Sequence, residues 1–169
     1  NIKISGIDYD AKYVFSELGY NFLPSEISAT FALEQIKKLK KNIEIRNKNF
    51  EKLKKFFYKY KNLFNLPEQY DGVKTPWLAF PLVIKPNKFF NRKKLQIYLE
   101  KNNIQTRTIF TGNILKQPVM KNKKYKYHNK CNDEANNVMK NGILIGCHQG
   151  MTSNDVNFIC KKFLQFINK

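Results

Sequence analysis

Residue types that carry out enzyme chemistry are sparse in this sequence of 169 residues. The phosphate-binding GxxxxGK(S/T) loop and the GxGxxG, GxSxG and HExxH motifs are all absent. The two histidines, His128 and His148, have no metal-ligand spacing to each other or to a cysteine. Cys147 directly precedes His148, but neighbouring residues on a strand point to opposite faces, which disfavours a nucleophile and base pair. The sequence therefore predicts no catalytic residue in this chain.

Two polar stretches next to regular patterns could instead bind a ligand. Residues 19–21, "GYN", come just before a helical pattern, and the amide of Asn21 can donate a hydrogen bond. Residues 106–118, "TRTIFTGNILKQP", lead from a strand pattern into a turn and contain Arg107 and Asn113. Loops of this kind often contact ligands. A plain Gly-Asn turn with Arg107 in a surface ion pair is the alternative, and the residues alone leave both open.

The first half of the chain has helical periodicity. Two apolar stripes with spacings of three and four residues predict about forty residues of helix, beginning near Pro24. Pro24 suits a first helical turn, and Glu26 suits the positive end of the helix dipole. The two stripes consist of Ala29, Ala32, Leu33, Ile36, Leu39 and Ile43, followed by Phe50, Leu53, Phe57, Tyr60 and Phe64.

Strand and helix patterns alternate in the second half. The predicted strands are residues 77–84, with Pro81 at a bulge or an edge, then 104–110 and 142–147. Asn91 is predicted to cap one helix, and Thr152 or Ser153 to cap the last. The order is a long helical arm, then strand, helix, strand, loop, helix, strand and helix. This order predicts an α/β fold in which helices pack on a small sheet.

The net charge of +18 raises the question of a nucleic-acid partner. Three of the 31 basic residues are arginines, which leaves 28 lysines, and the chain also contains 21 asparagines. Specific recognition of phosphate and guanine favours arginine. We therefore interpret the charge as lysine-rich solvated surface and expect no nucleic-acid partner. A basic nucleic-acid-binding module remains the alternative from a different class.

The cysteines and the apolar runs indicate a cytoplasmic protein. Cys131, Cys147 and Cys160 are odd in number and widely spaced, which predicts three reduced thiols, with Cys160 facing a helix core. No run of about 18 apolar residues occurs, so no membrane partner is expected. The first residues contain neither an initiator methionine nor a signal peptide, and we expect a fragment of a longer chain.

Several segments, in order, resemble the C-terminal part of the DegT/StrS family of pyridoxal-phosphate-dependent nucleotide-sugar aminotransferases. Residues 19–50 are similar to the family's GYN opening, its A-A-x-G-x-x-Q-L-x-x-L helix and its E-x-R repeat. Residues 106–118 resemble the TR-x-x-F-x-GN-x-x-x-QP pattern of the branch that contains the sugar 3-dehydratases of lipopolysaccharide dideoxysugar synthesis, and residues 76–84 and 141–152 also match that branch. The matching helix positions are Gln35, Leu39, Glu44 and Arg46.

The resemblance implies the small C-terminal domain of a fold-type I aminotransferase, usually a homodimer with active sites between protomers. Residues 1–22 would end the large cofactor domain, residues 23–64 would form the connecting helical arm, and residues 65–169 the α/β small domain. The implied cofactor is pyridoxal or pyridoxamine 5'-phosphate. Its Schiff-base lysine, a histidine in the 3-dehydratases, would lie upstream, as would the cysteines of any iron–sulfur cluster.

The resemblance also implies roles for four residues. Asn21 matches the family asparagine that reaches the cofactor phosphate of the partner protomer, although Leu23 stands where the family often has Arg or Lys. Arg107 and Asn113 match the loop that borders the sugar nucleotide, and His148 lies in a segment near it. The implied function is 3-dehydration of a 4-keto-6-deoxy nucleotide sugar, with a reductase as a further partner. Nucleotide-sugar aminotransfer is the alternative.

Overall fold

The computed structural model describes residues 2–4, 7–9, 17–20, 22–126 and 129–168. They form two compact units, Asn1–Lys37 and Lys38–Lys169. The helices are α1 (Glu26–Tyr58), α2 (Arg92–Lys101), α3 (Asn129–Asn141) and α4 (Ser153–Ile167). The strands are β1 (Ile2–Ile4), β2 (Ile7–Tyr9), β3 (Phe64–Asn65), β4 (Ala79–Ile84), β5 (Thr106–Arg107) and β6 (Gly142–Gly146). Within the described part of the chain, no helix is long and apolar enough to cross a membrane.

The first unit contains a hairpin that the sequence patterns did not predict. Strands β1 and β2 pair antiparallel, with Ile2 opposite Tyr9. Helix α1 begins at Glu26, two residues after Pro24, as its helical pattern predicts. Its first apolar stripe is largely exposed, however: Leu33 and Ile36 keep 62% and 63% of their surface. The periodicity therefore predicted the helix correctly but not the exposure of Leu33 and Ile36.

The second unit contains a four-stranded antiparallel sheet in the order β3-β4-β6-β5. Strand β4 is an inner strand, with Pro81 opposite Leu144 of β6. On its other side, β3 pairs only with Val83 and Ile84. Among the described strands, none therefore runs beside Pro81 on the side away from β6. A proline is tolerated here because no second ladder needs its missing N–H.

The core lies between one face of this sheet and helices α1, α2 and α4. The part of the second apolar stripe that lies on α1 is buried, with Leu53 and Phe57 fully inaccessible. Full burial of such side chains contributes about 1.5–3 kcal/mol each. The predicted helix is too long, however, because α1 ends at Tyr58 and Phe64, the last residue of that stripe, lies in β3. The residues that share this core on the other elements include Phe80, Leu82, Ile84, Leu95, Leu99, Ile143, Ile145, Val156, Ile159 and Phe163.

The N-caps predicted for two helices are confirmed. The Asn91 side chain accepts a hydrogen bond from Lys94 N and begins α2. Thr152 begins α4 with a complete capping box, in which Thr152 Oγ1 accepts from Asp155 N and the Asp155 carboxylate accepts from Thr152 N. These hydrogen bonds satisfy N–H groups that the helix itself leaves unpaired.

The strand predicted at residues 104–110 is much shorter in the structure. Only Thr106 and Arg107 pair with β6. The chain then turns, since Gly112 N donates to Ile109 O at 2.9 Å and Gly112 has a φ of +70°. Glycine adopts this conformation without a steric penalty, so the turn ends the strand.

Candidate functional site

The structure brings two of the four predicted site residues to one cavity. Arg107 at the end of β5 and His148 just after β6 both line a cavity of about 420 Å³. Asn113 does not line it, and Asn21 lies outside the described residues. The ligand contacts expected of all four residues stay predictions.

The cavity is mainly apolar, with a few polar groups at its wall. Its apolar lining comes from β4, β6, α4 and the residues just before β4 and α4, and includes Leu78, Ala79, Ile145, Met151 and Ile159. Its charged or titratable lining residues are Arg107, His148 and Asp155. An apolar cavity with a few fixed polar groups is the usual form of a small-molecule site.

Arg107 is positioned by the residue before it. Thr106 N and Thr106 Oγ1 both donate to the Glu100 carboxylate, at 2.6 and 2.7 Å, so the start of β5 is fastened to the end of α2. These hydrogen bonds, first the side-chain and then the backbone one, hold the pKa of Glu100 below its usual value, and the Arg107 charge adds to the effect. Within the described part of the chain, the one ion pair within 4 Å joins Lys37 and Glu34. Arg107 is thus exposed and available to an anionic ligand rather than closed in an ion pair.

His148 has a defined tautomer in its neutral form. Gly150 N donates to His148 Nδ1 at 3.2 Å, so Nδ1 is the acceptor and the proton of the neutral ring lies on Nε2. The ring lies over Gly146, where an added Cβ would be 3.8 Å from Nε2. The His148 side chain can therefore donate a hydrogen bond from Nε2 at the wall of the cavity.

Helix α1 anchors the turn of residues 147–151 that carries His148. Asn49 Nδ2 donates to both His148 O and Met151 O at 3.2 Å, and the Asn49 side chain is 3% exposed. Arg46 Nε donates to Gln149 Oε1 at 2.7 Å. Sequence reasoning missed both anchors as site residues. For Arg46 there was a signal, its match to the family's E-x-R repeat, whereas for Asn49 there was none.

Asn113 organises the loop rather than facing the cavity. It is 3% exposed, its Oδ1 accepts from Leu115 N, and its Nδ2 donates to Asn136 Oδ1 at 2.9 Å. The first of these bonds caps the 3₁₀ turn Ile114–Lys116. The buried amide thus ties the loop after β5 to helix α3.

The described thiols are free, as predicted. Cys147 is buried and Cys160 is half-buried. Burial raises the pKa of Cys147 to about 12 and that of Cys160 to about 11. The side chain of Cys131 is outside the described part. Among described residues, no group of three or more His, Cys, Asp or Glu side chains could hold a metal ion.

We expect these two thiols to make the protein less stable in alkali. Their folded-state pKa values, about 12 and about 11, lie above the usual thiol pKa of 9.0, so the folded chain binds their protons more tightly. The stabilisation is complete below pH 9 and is lost as the pH rises through the folded values. Urea unfolding between pH 8 and pH 11 should show a smaller alkaline loss for the double variant Cys147→Ala, Cys160→Ala than for the unaltered chain. Equal slopes would contradict this prediction, since lysine and tyrosine titration is common to both proteins.

Known proteins resemble this chain along most of its length. The lipopolysaccharide biosynthesis protein RfbH of Salmonella typhimurium is 30% identical over 158 residues, covering 94% of this chain and 36% of RfbH. The GDP-4-keto-6-deoxy-D-mannose 3-dehydratase of Escherichia coli O55:H7 is 33% identical over 162 residues, covering 93% of this chain and 41% of that enzyme. The chain thus spans about two fifths of the length of these relatives.

Solved structures confirm the predicted fold. The chain superposes on E. coli GDP-4-keto-6-deoxy-D-mannose-3-dehydratase with bound hydrated PLP with a TM-score of 0.79 and 31% identity, covering 94% of this chain and 41% of that one. Helicobacter pylori PseC, an aminotransferase of pseudoaminic acid biosynthesis, shares the fold with a TM-score of 0.74 at 20% identity, covering 96% and 43%.

The sequence profile of one family matches residues 1–164, nearly the whole chain. It is the family that the GYN opening and the segment of residues 106–118 resemble. The chain belongs to the DegT/DnrJ/EryC1/StrS aminotransferase family.

Proposed function

We propose that this chain is part of a pyridoxal-phosphate-dependent enzyme that removes the C3 hydroxyl of a 4-keto-6-deoxy nucleotide sugar in lipopolysaccharide dideoxysugar synthesis. The observation that carries the proposal is the superposition on a 3-dehydratase structure over nearly all of this chain. The curated relatives named 3-dehydratases support the same reaction.

The described residues do not by themselves form a site for the cofactor ring. The cavity beside Arg107 and His148 is lined by no lysine, and its one carboxylate, Asp155, is engaged by Thr152. We therefore place the Schiff-base residue and the partner of the pyridine nitrogen in the part of the protein that precedes this chain. Asn21 would contribute an amide donor to the cofactor phosphate of the partner protomer. When bound, the cofactor supplies an electron sink for loss of a hydroxyl next to a ketone.

We assign the wall of the cavity to substrate binding. The Arg107 guanidinium and His148 Nε2 can each donate hydrogen bonds to oxygen atoms of the sugar. Leu78, Met151 and Ile159 contribute apolar surface, which limits access of water to these bonds. Asn113 would act in this site by holding the loop after β5.

Further parts of the proposal concern the whole protein. We propose a cytoplasmic homodimer without nucleic-acid or membrane partners, and with a reductase as a further partner. We keep the division into residues 1–22, 23–64 and 65–169 as end of the large domain, connecting arm and small domain. An iron–sulfur cluster in the longer protein would take its cysteines from the preceding part, because Cys147 is a buried and Cys160 a half-buried thiol, and burial raises the pKa of both.

The proposal is tested with the complete polypeptide, purified with pyridoxal phosphate and supplied with glutamate as amine donor. It should convert a 4-keto-6-deoxy sugar linked to GDP, CDP or dTDP into a product that lacks the C3 oxygen, identified by mass spectrometry. An amino sugar that retains this oxygen would assign the protein to the aminotransferases instead. No conversion of any of the three would contradict both.

Variants of the same polypeptide test the role of the cavity. We expect Arg107→Ala and His148→Ala each to raise KM roughly tenfold, since each removes a hydrogen bond to a charged or polar substrate group. Lys161→Ala, which removes one exposed positive charge from α4, serves as the control and should leave KM unchanged. If Arg107→Ala and the control behave alike, Arg107 does not contact the substrate.

A further inference from the structure

Phe110 is a nearly fully exposed aromatic residue at the tip of the loop after β5. Its side chain keeps 93% of its surface in contact with solvent. A single exposed apolar residue needs no explanation by itself. Phe110 differs because the loop that carries it is closely braced.

Several contacts hold this loop in one conformation. Gln117 Nε2 donates to Thr111 O at 3.1 Å, and Gly112 N donates to Ile109 O at 2.9 Å. The backbone at Gly112 packs so closely on α3 that an added Cβ would lie 2.7 Å from Met139 Cγ. The ring of Phe110 is therefore presented by a fixed support, which lowers the entropic cost of binding to it.

A second cavity, of about 200 Å³, lies beside the ring. Phe110 itself lines it, together with the polar residues Arg92, Thr108, Thr111 and Gln117. This cavity is separate from the larger one that Arg107 and His148 line, and its polar lining includes one full positive charge.

The positive charge belongs to Arg92, whose guanidinium has no partner among the described residues. Arg92 is half-buried, and no hydrogen bond or ion pair joins its guanidinium to another described residue. It is also the first residue of α2, whose first turn contains no acidic residue. The exposed N–H groups of a helix start carry partial positive charge, which adds to the attraction for an anion.

We propose that this cavity receives the phosphates of a nucleoside diphosphate through Arg92, while Phe110 stacks on the base. The inference rests on the proposed function, in which the substrate is a nucleotide sugar, and it names two residues that would recognise the nucleotide part. A guanidinium and a threonine hydroxyl suit phosphate oxygens, and an exposed aromatic face suits any of the bases. The pairing of both features at one cavity favours a nucleoside diphosphate over a free inorganic anion.

Titration calorimetry on the complete polypeptide tests this with GDP, CDP, dTDP and inorganic pyrophosphate as probes. We expect at least one nucleoside diphosphate to bind more tightly than pyrophosphate. Phe110→Ala should weaken that nucleotide at least about fivefold, the range for loss of base stacking, and leave pyrophosphate unchanged. Arg92→Gln should weaken both probes about tenfold, because a charge-assisted bond to phosphate is lost.

Two matched variants control for general effects. Tyr70→Ala removes another exposed aromatic ring, 80% accessible, from a different loop. Lys93→Ala removes an exposed charge from the neighbouring position of α2. Neither should change nucleotide affinity by more than about twofold, since a surface charge outside the site contributes little.

Other outcomes overturn the inference. It fails if no probe binds, if Phe110→Ala and Arg92→Gln leave nucleotide binding unaltered, or if pyrophosphate binds as tightly as every nucleotide. Tighter binding of a single-stranded oligonucleotide than of any nucleoside diphosphate would instead favour nucleic-acid recognition. The product assay tests the proposed reaction independently. If the enzyme removes the C3 oxygen but both variants bind nucleotide normally, only this inference is wrong. If nucleotide binding depends on both residues but the C3 oxygen is retained, only the proposed reaction is wrong.

Discussion

Phe57→Ala is expected to lower the free energy of unfolding by about 3–5 kcal/mol, the usual range for removing a phenylalanine from a core. Phe57 is fully buried on α1. Its ring packs edge-on against Phe163 of α4 at 4.8 Å and stacks on Phe80 of β4 at 5.5 Å between centroids. One truncation therefore leaves a void where α1, the sheet and α4 meet. Urea unfolding followed by circular dichroism measures the loss.

Tyr58→Ala is the matched control because Tyr58 is the next residue on the same helix and is 61% exposed. The Lys61 ammonium lies 5.1 Å from the centroid of the Tyr58 ring, an exposed interaction that contributes about 0.5–1 kcal/mol. We expect the midpoint of unfolding to change little. Similar losses for the two variants would mean that α1 does not pack on the sheet through Phe57.

Periodicity and capping were enough to predict much of the fold because both are local. The stripe that contains Phe50, Leu53 and Phe57 repeats at helical spacing and is buried. The caps Asn91 and Thr152 bind backbone N–H groups three residues ahead, so a short window of sequence contains all the partners involved. The type of these elements is therefore predictable without knowledge of the tertiary fold.

Strand length and burial were harder to predict because they depend on distant residues. Strand β5 has only two residues, although the pattern continues to Phe110, since the turn at Gly112 takes the chain away from β6. Strand β3 forms because Phe64 and Asn65 meet Ile84 and Val83 across the sheet. The exposed Leu33 and Ile36 have the same helical spacing as buried residues, so periodicity alone could not distinguish them.

The candidate site also has a part that the sequence predicts and a part that it does not. Its residue types were apparent in the sequence, and the family resemblance indicated Arg107 and His148, which do line one cavity. The support of that cavity was not apparent. Asn49 is 99 positions from His148, and an asparagine among many others on a lysine-rich helix gives no sign that its amide is buried. Bonds between such distant residues follow only from the fold.

Substitution of Asn49 is the second change for which we expect a large effect, on both stability and substrate binding. Asn49→Leu keeps similar volume but removes both hydrogen bonds to the turn of residues 147–151. The Met151 carbonyl then loses its Asn49 donor and the His148 carbonyl keeps only the donor Met151 N, which should cost about 1–3 kcal/mol of stability, at roughly 0.5–1.5 kcal/mol for each lost bond. Because the turn carries His148, the KM of the complete polypeptide for its nucleotide sugar should rise, and kcat should change less.

Asn49→Asp separates the hydrogen bonds from simple packing. An aspartate has nearly the same shape, but its ionised carboxylate cannot donate and would face two carbonyl oxygens. We expect at least the loss seen for Asn49→Leu at pH 7. The carbonyl oxygens and burial raise the folded-state pKa of this new carboxyl, so part of the stability should return as the pH falls and the group becomes a donor.

Lys48→Ala, at the neighbouring exposed position of α1, should alter neither stability nor KM. Stability of Asn49→Asp equal to that of the unaltered chain at pH 7 would show that the amide does not hold the turn by donation. A loss of stability without any change in KM would show that the turn matters for folding but not for the substrate. Only the combination of lost stability, raised KM and partial recovery in acid supports Asn49 as the residue that positions His148.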